Sequence, residues 1–305
     1  MRLGFVTACL PTATFSELAH WAAGDGYDSL EVSAWPRSGR GAGPSHIDPS
    51  NFSVDEEDGV RQVLAETGVA VSALGYYENN LHHDRDRRNE IHEHLKRCVD
   101  VAKRLELVNV GTFIGRDVTK SVSENLAAAG GILAPLVDYA GERGVTLAVE
   151  NCPMEGWHPD GYPGNLAYSP ELWDWMFSLG FSLNYDPSHL VWLGIDPAEA
   201  LRPYVSHLAL VQAKDTEINT TARNRYGVFG KTIDRRDDWD VGWWRYRVPG
   251  RGSVDWRNVI DILHEGGYTG DVSVEHEDPV WGGEVQRVEE GLRIARETLR
   301  PLIRG

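Results

Sequence analysis

The feature of this chain that most limits its fold is a repeated alternation of strand-like and helix-like segments along nearly all 305 residues. Strand-type runs fall near residues 2–9, 28–35, 69–77, 107–114, 145–151, 181–186, 207–214 and 271–277. Each is followed by apolar residues at helical spacing, such as Ile91, Leu95, Cys98, Val99 and Ala102, or Val288, Leu292, Ala295 and Leu299. Helix starts are marked by a capping box at Thr14–Glu17, by Ser169-Pro170 and by Asp196-Pro197. Strand-then-helix repeated in this way predicts an α/β chain folded as one (β/α)8 TIM barrel domain over residues 1–305. The stretch after the seventh strand, residues 216–252, is too long for a tight connection. With Trp239, Trp243, Trp244 and Tyr246 it is too aromatic for a disordered one. It is expected to be either a lid over the barrel mouth or a surface excursion packed on a neighbouring subunit.

Composition removes several function classes. The 46 acidic residues against 30 basic ones give a formal net charge of −16, the wrong sign for replacing counterions on a nucleic-acid backbone. No apolar run reaches membrane-spanning length, and Met1–Leu10 is expected to be the first strand rather than a leader. Cys9, Cys98 and Cys152 are odd in number and lack metal-type spacing, which predicts reduced thiols in a cytoplasmic protein.

Chemistry is expected at the strand ends. In a parallel barrel alternate residues of each strand point inward, and reactive groups gather at the C-terminal rim. Thr146, Ala148 and Glu150 share one face, as do Asn184 and Asp186, then Leu208, Leu210, Gln212 and Lys214, then Ser273, Glu275 and Glu277. In each set the polar group stands at the C-terminal end of its strand. Carboxylates buried together need a cation or a shared proton. Glu150, Asp186, Gln212 and Glu275 are therefore expected to converge on one divalent metal ion. Such an all-oxygen set suits Mn²⁺ best, with Mg²⁺ or Co²⁺ as alternatives and Zn²⁺ a poorer match.

The segments Ala148–Asn151, Asn184–His189, Ala213–Glu217 and Val274–Asp278, with Arg116-Asp117 and Val248–Trp256, resemble the sugar phosphate isomerase/epimerase family, the xylose-isomerase-like TIM barrels. The resemblance covers essentially the whole chain. It implies that Glu150, Asp186, residue 212 and Glu275 hold a metal, that His189 contacts substrate, and that the chain forms a dimer or tetramer. The family usually carries His where this chain has Gln212. An amide oxygen is a weaker and harder donor than imidazole, so the choice of metal is expected to differ.

The reaction implied is isomerisation or epimerisation of a keto sugar or related polyol through an enediolate. Glu150 and Glu275 would serve as catalytic base and acid, His189 would hold a substrate oxygen, and Lys214 would be a second polarising group. Trp35, Tyr76 and Phe113 are candidates to stack on the sugar, with core packing an equal reading. The alternative is a lyase or dehydratase acting on a keto-inositol or keto-glycoside with the same groups. A phosphodiester nuclease and a non-catalytic barrel are the more distant readings.

Overall fold

The computed structural model describes residues 1–158, 163–236 and 240–303. Ten strands are present among them: β1 (Arg2–Val6), β2 (Ser29–Ser33), β3 (Ala70–Gly75), β4 (Asn109–Thr112), β5 (Thr146–Glu150), β6 (Ser182–Tyr185), β7 (Leu208–Ala213), β8 (Asp215–Ile218), β9 (Trp244–Arg247) and β10 (Asp271–Val274). Neighbours in the order β1-β10-β7-β6-β5-β4-β3-β2 close a barrel, and every pair around it is parallel. This is the (β/α)8 barrel expected from the alternation, with β10 as its eighth strand.

Local sequence accounts for the helix starts. Thr14, Ser53 and Ser121 each accept the backbone N–H three residues on, and Glu17, Glu56 and Glu124 reach back to close capping boxes. The strands are shorter than their apolar runs. β1 stops at Val6, where the backbone tightens into a 3-10 turn over Thr7–Cys9, since the rim must turn outward toward the next helix.

The core lies between barrel and helices. Outward residues such as Phe5, Leu30, Val149, Leu183 and Val274 are buried against helix residues such as Leu18, Leu95, Leu133 and Leu292. Each fully buried side chain of this kind contributes about 1.5–3 kcal/mol. Inside the barrel, Ala73, Ala148 and Leu210 form a separate small apolar cluster. The inward positions further along the strands are polar, among them Glu31, Asn184 and Gln212, all buried.

The long stretch after β7 folds as an antiparallel hairpin of β8 and β9, with Asp215 opposite Arg247 and Thr216 opposite Tyr246. The helix Thr220–Tyr226 lies between the two strands. Trp239 of this segment, and Tyr162 of the loop after β5, lie outside the described residues. No described helix is long and apolar enough to cross a membrane.

Candidate active site at the barrel mouth

Closure of the barrel brings β5, β6, β7 and β10 side by side, and their C-terminal ends carry the carboxylates singled out above. Glu150 ends β5. Asp186 follows β6 and caps the helix Pro187–Leu193 through Ser188 N–H at 2.8 Å, so one oxygen is spent on the fold. Asn151 clamps this junction: Asp186 N–H donates to Asn151 Oδ1 at 2.7 Å and Asn151 Nδ2 donates to Asp186 O at 2.8 Å. The clamp sets strand β5 against β6 at the rim.

One oxygen from each of Glu150, Asp186 and Glu275 falls within 4.8 Å of the others. Donors around a hard octahedral cation stand about 3 Å apart when adjacent and about 4.2 Å apart when opposite, so the set has the size of a single-ion cage. Gln212 is fully buried beside them, and its Oε1 has no hydrogen-bond partner. Gln212 lies on β7, between β6 and β10 that lead to Asp186 and Glu275, and its unspent amide oxygen is of the type that ligates a cation; Asn184 Oδ1 and Glu31 Oε2 are likewise buried without partners. A second cluster, Glu150 with Cys152 and His189, has comparable spacing and softer donors. Burial raises the Cys152 thiol to about 12, so at neutral pH it stays protonated unless a metal takes the proton's place.

Lys214 and His189 already sit among these groups. Lys214 Nζ lies 2.6 Å from Glu275 Oε2, 3.0 Å from Glu277 Oε2 and 3.3 Å from Asp186 Oδ2. Burial acts against its charge, yet Glu275, Glu277 and Asp186 outweigh burial and raise it well above the ordinary lysine value. His189 Nε2 lies 3.0 Å from both Glu150 Oε1 and Asp186 Oδ2. Burial opposes the imidazolium, and the anionic surroundings, Asp186 included, outweigh it and raise His189 well above its usual range. Burial alone would also raise Asp186; His189 and Lys214 hold it below the carboxylate range instead.

Glu275 behaves differently. Burial raises its carboxyl well above the carboxylate range, with Lys214 opposing and Glu150 and Glu277 reinforcing the shift. Lys214 and His189 supply two positive charges against Glu150, Asp186, Glu275 and Glu277, so the mouth retains unbalanced negative charge. A proton on Glu275 or a bound cation relieves it.

The aromatic candidates separate. Trp35 and Phe113 flank Tyr77, with ring centroids 6.0 Å and 5.2 Å from it, and Phe113 meets Trp157 edge-on at 5.5 Å. Tyr76 instead packs against His94, with ring centroids 4.5 Å apart and the rings tilted by 58°, on the outer side of the barrel, where burial raises its hydroxyl far above the usual phenol value. The tyrosine that enters the barrel is Tyr77. Tyr76 also lines a cleft of about 630 Å³ with Arg87, Glu90 and His94, away from the carboxylates, and Arg87 there is bonded to Glu78 and Glu90.

Sequence reading did not single out Glu31, Tyr77 or Glu155, and it placed Tyr246 only as part of a lid. Glu31 is fully buried on β2 and accepts from the Tyr77 hydroxyl and from Gln212 Nε2 at 2.9 Å. Burial raises its carboxyl to about 7 against those two hydrogen bonds. A signal was present, since Glu31 interrupts the apolar run of β2 on the face shared by Ser29 and Ser33. Glu155, buried after β5 with both carboxylate oxygens unpartnered, is raised above the carboxylate range by that burial. Nothing in its local sequence announces this. Tyr246 Oη lies 2.9 Å from His189 Nδ1, and Lys214 Nζ sits 4.4 Å above the Tyr246 ring.

Asp215, though adjacent to Lys214, belongs to the scaffold: it accepts from the N–H groups of Thr216, Gly250, Gly252 and Val254 and from Trp256 Nε1. Cys9, Cys98 and Cys152 are all free thiols.

The fold and rim together define a (β/α)8 barrel with an acidic mouth at the C-terminal ends of its strands, the face where barrels of this kind carry their reactive groups. Residues 19–300 match the family described as Xylose isomerase-like TIM barrel, and the chain belongs to it. Among its relatives, the uncharacterized protein YfiH of Bacillus subtilis (strain 168) is 25% identical over 99% of both chains. An inosose dehydratase of Clostridium botulinum (strain Eklund 17B / Type B) is 30% identical over 118 residues, 38% of this chain and 37% of the relative. Solved structures with the same fold include D-psicose 3-epimerase in the presence of D-fructose, at TM-score 0.71 and 17% identity with both chains covered fully. The IOLI protein with a binding zinc atom matches at TM-score 0.71 and 19% identity, over 99% of this chain and 98% of that one.

Proposed function

We propose that this chain is a divalent-metal-dependent isomerase or epimerase of a keto sugar or related polyol. The observation that carries the reading is the meeting of Glu150, Asp186 and Glu275 oxygens within 4.8 Å, with Gln212 on the intervening strand β7 carrying an unspent Oε1. These four residues would hold the ion, with Mn²⁺ preferred because every donor is a hard oxygen. When bound, such an ion chelates neighbouring carbonyl and hydroxyl oxygens and acidifies the adjacent C–H.

The chain's own residues then do the proton work. Glu150 on β5 and Glu275 at the end of β10, facing the substrate carbon from opposite sides, can serve as base and acid. Removal on one face and return on the opposite face inverts the carbon through an enediolate. Lys214 lies within 2.6 Å of Glu275 Oε2 and favours its ionised form once the proton has left. His189, held by Tyr246 on Nδ1, would turn its Nε2–H from the carboxylates to a substrate oxygen once a cation takes those carboxylates. Trp35, Tyr77, Phe113 and Trp157 would give the sugar an apolar wall.

A second reading, elimination from a keto-inositol or keto-glycoside, is favoured by one observation: the Clostridium relatives named as inosose dehydratases. The same metal-holding carboxylates would then serve the elimination. The test begins with elemental analysis of protein purified without chelator or added metal, followed by the melting shift on adding Mn²⁺ to stripped protein. Keto sugars and inososes are then screened for solvent deuterium incorporation. About one equivalent of metal with deuterium retained in an isomeric product supports epimerisation; loss of water from the product supports elimination. Protein that neither retains nor responds to metal removes both readings.

A further inference from the structure

We infer that Glu31 and Tyr77 form a positioning pair that fixes the orientation of Gln212, leaving its amide oxygen rather than its amide nitrogen free for a cation. The inference rests on the reading of Gln212 as a metal ligand given above. It comes from counting hydrogens. A tyrosine hydroxyl has one hydrogen to give and two lone pairs to receive. The Tyr77 hydroxyl donates to Glu31 Oε1, and Tyr77 Oη accepts from Gln212 Nε2 at 3.1 Å and from Asn184 Nδ2 at 2.9 Å. Its donor is spent on Glu31, so only an N–H of Gln212 can satisfy it. Glu31 Oε1 imposes the same choice, accepting from Gln212 Nε2 at 2.9 Å. Two acceptors therefore hold the Gln212 amide nitrogen, and Oε1 on the other side of the amide carbon is left buried without a partner. A glutamine without such partners could turn its amide by half a revolution and put N–H groups where Oε1 now stands, which would repel a cation.

The strands leave room for this device. A Cβ on Gly75 would come within 2.9 Å of Tyr77 Cε2, and one on Gly111 would overlap Tyr77 Oη. Glycines on β3 and β4 thus admit the Tyr77 ring to the barrel interior. An imidazole at position 212 can turn a lone pair to the metal while its other nitrogen bonds a neighbour. A planar amide has distinct ends, and needs partners that tell them apart.

The test uses the full-length protein stripped of metal and titrated with Mn²⁺, read by loss of the free-ion signal in electron paramagnetic resonance. Outer-shell partners of metal ligands typically change affinity by about 10- to 100-fold. Glu31→Leu and, separately, Tyr77→Phe are expected to weaken Mn²⁺ binding by at least about tenfold, with melting temperature and circular dichroism confirming the fold. Glu31→Leu removes a charge as well as the acceptor, so each change is repeated in a Gln212→Ala background. Loss of the effect there supports positioning through Gln212, because coupled residues give non-additive changes. An undiminished effect in that background, or unchanged affinity of both single variants, overturns it. If one variant fails to fold, the other decides. Wild-type protein that binds no Mn²⁺ removes the proposed function itself, a result distinct from wild-type binding with indifferent variants.

Discussion

Tyr246 Oη meets His189 Nδ1 at 2.9 Å, although 57 residues separate them in the chain. The contact joins the hairpin of β8 and β9 to the floor of the mouth, because His189 Nε2 already faces Glu150 and Asp186. His189 is thus tied at both nitrogens. Tyr246→Phe is expected to keep the fold and to free Nδ1. With about 1 kcal/mol for an ordinary hydrogen bond, turnover should fall about fivefold. The ¹⁵N shifts of the His189 ring report the change directly, and identical shifts in variant and wild type would sink the role given to Tyr246.

Glu275 is raised by burial and by its neighbours Glu150 and Glu277. Glu275→Gln keeps the shape and removes the proton. Turnover, followed as deuterium exchange into substrate, is expected to drop by about 10²- to 10⁴-fold. Melting temperature should hold or fall slightly, since Lys214 loses its 2.6 Å partner but keeps Glu277 and Asp186. Retained exchange would take Glu275 out of the acid–base pair.

Asp215 gathers four backbone N–H groups and the Trp256 indole at 2.8–3.3 Å. Buried donors left without partners cost about 1–3 kcal/mol each. Asp215→Ala is therefore expected to lower stability by at least about 3 kcal/mol, read from urea unfolding. A loss below about 1 kcal/mol would show that water or a local shift satisfies those groups.

His46 and His94 are buried and neutral in function. His46 Nδ1 pairs with Thr7 Oγ1 at 2.9 Å, and His94 Nε2 donates to Ala34 O at 2.7 Å. Burial lowers both below the ordinary value of 6.5. The unfolded chain therefore takes up protons first as pH falls. Their contribution is fully present above pH 6.5 and is lost as pH drops through 6.5 toward the folded-state values. The difference in melting temperature between wild type and His94→Gln should narrow from pH 7.5 to 5.5. A constant difference would contradict the assignment.

Much of the rim could be read from the chain because barrel strands are locally periodic. Glu150, Gln212 and Glu275 follow inward-facing residues at spacing two, and Asp186-Pro187 marks where β6 must stop. The aromatic readings show where this runs out. Tyr76 and Tyr77 are adjacent, and sequence offers no reason to choose between them. The structure puts Tyr76 against His94 and Tyr77 inside, where Gly75 and Gly111 make space. Those glycines lie on two strands, so the space exists only after the strands pair.

The sequence by itself determined the order of elements, the closed parallel barrel and the strand ends at which carboxylates collect, since each depends on patterns a few residues long. Tertiary structure decided the partners. Lys214 reaches Glu277 63 residues away, Gln212 reaches Glu31 across 181, and Tyr246 finds His189 through a hairpin. Hydrogen bonds and charges of this kind depend on distances of a few ångströms between segments remote in the chain. Only closure of the barrel sets those distances, and with them which carboxyl holds a proton, which amide atom is left free and which imidazole is tied down.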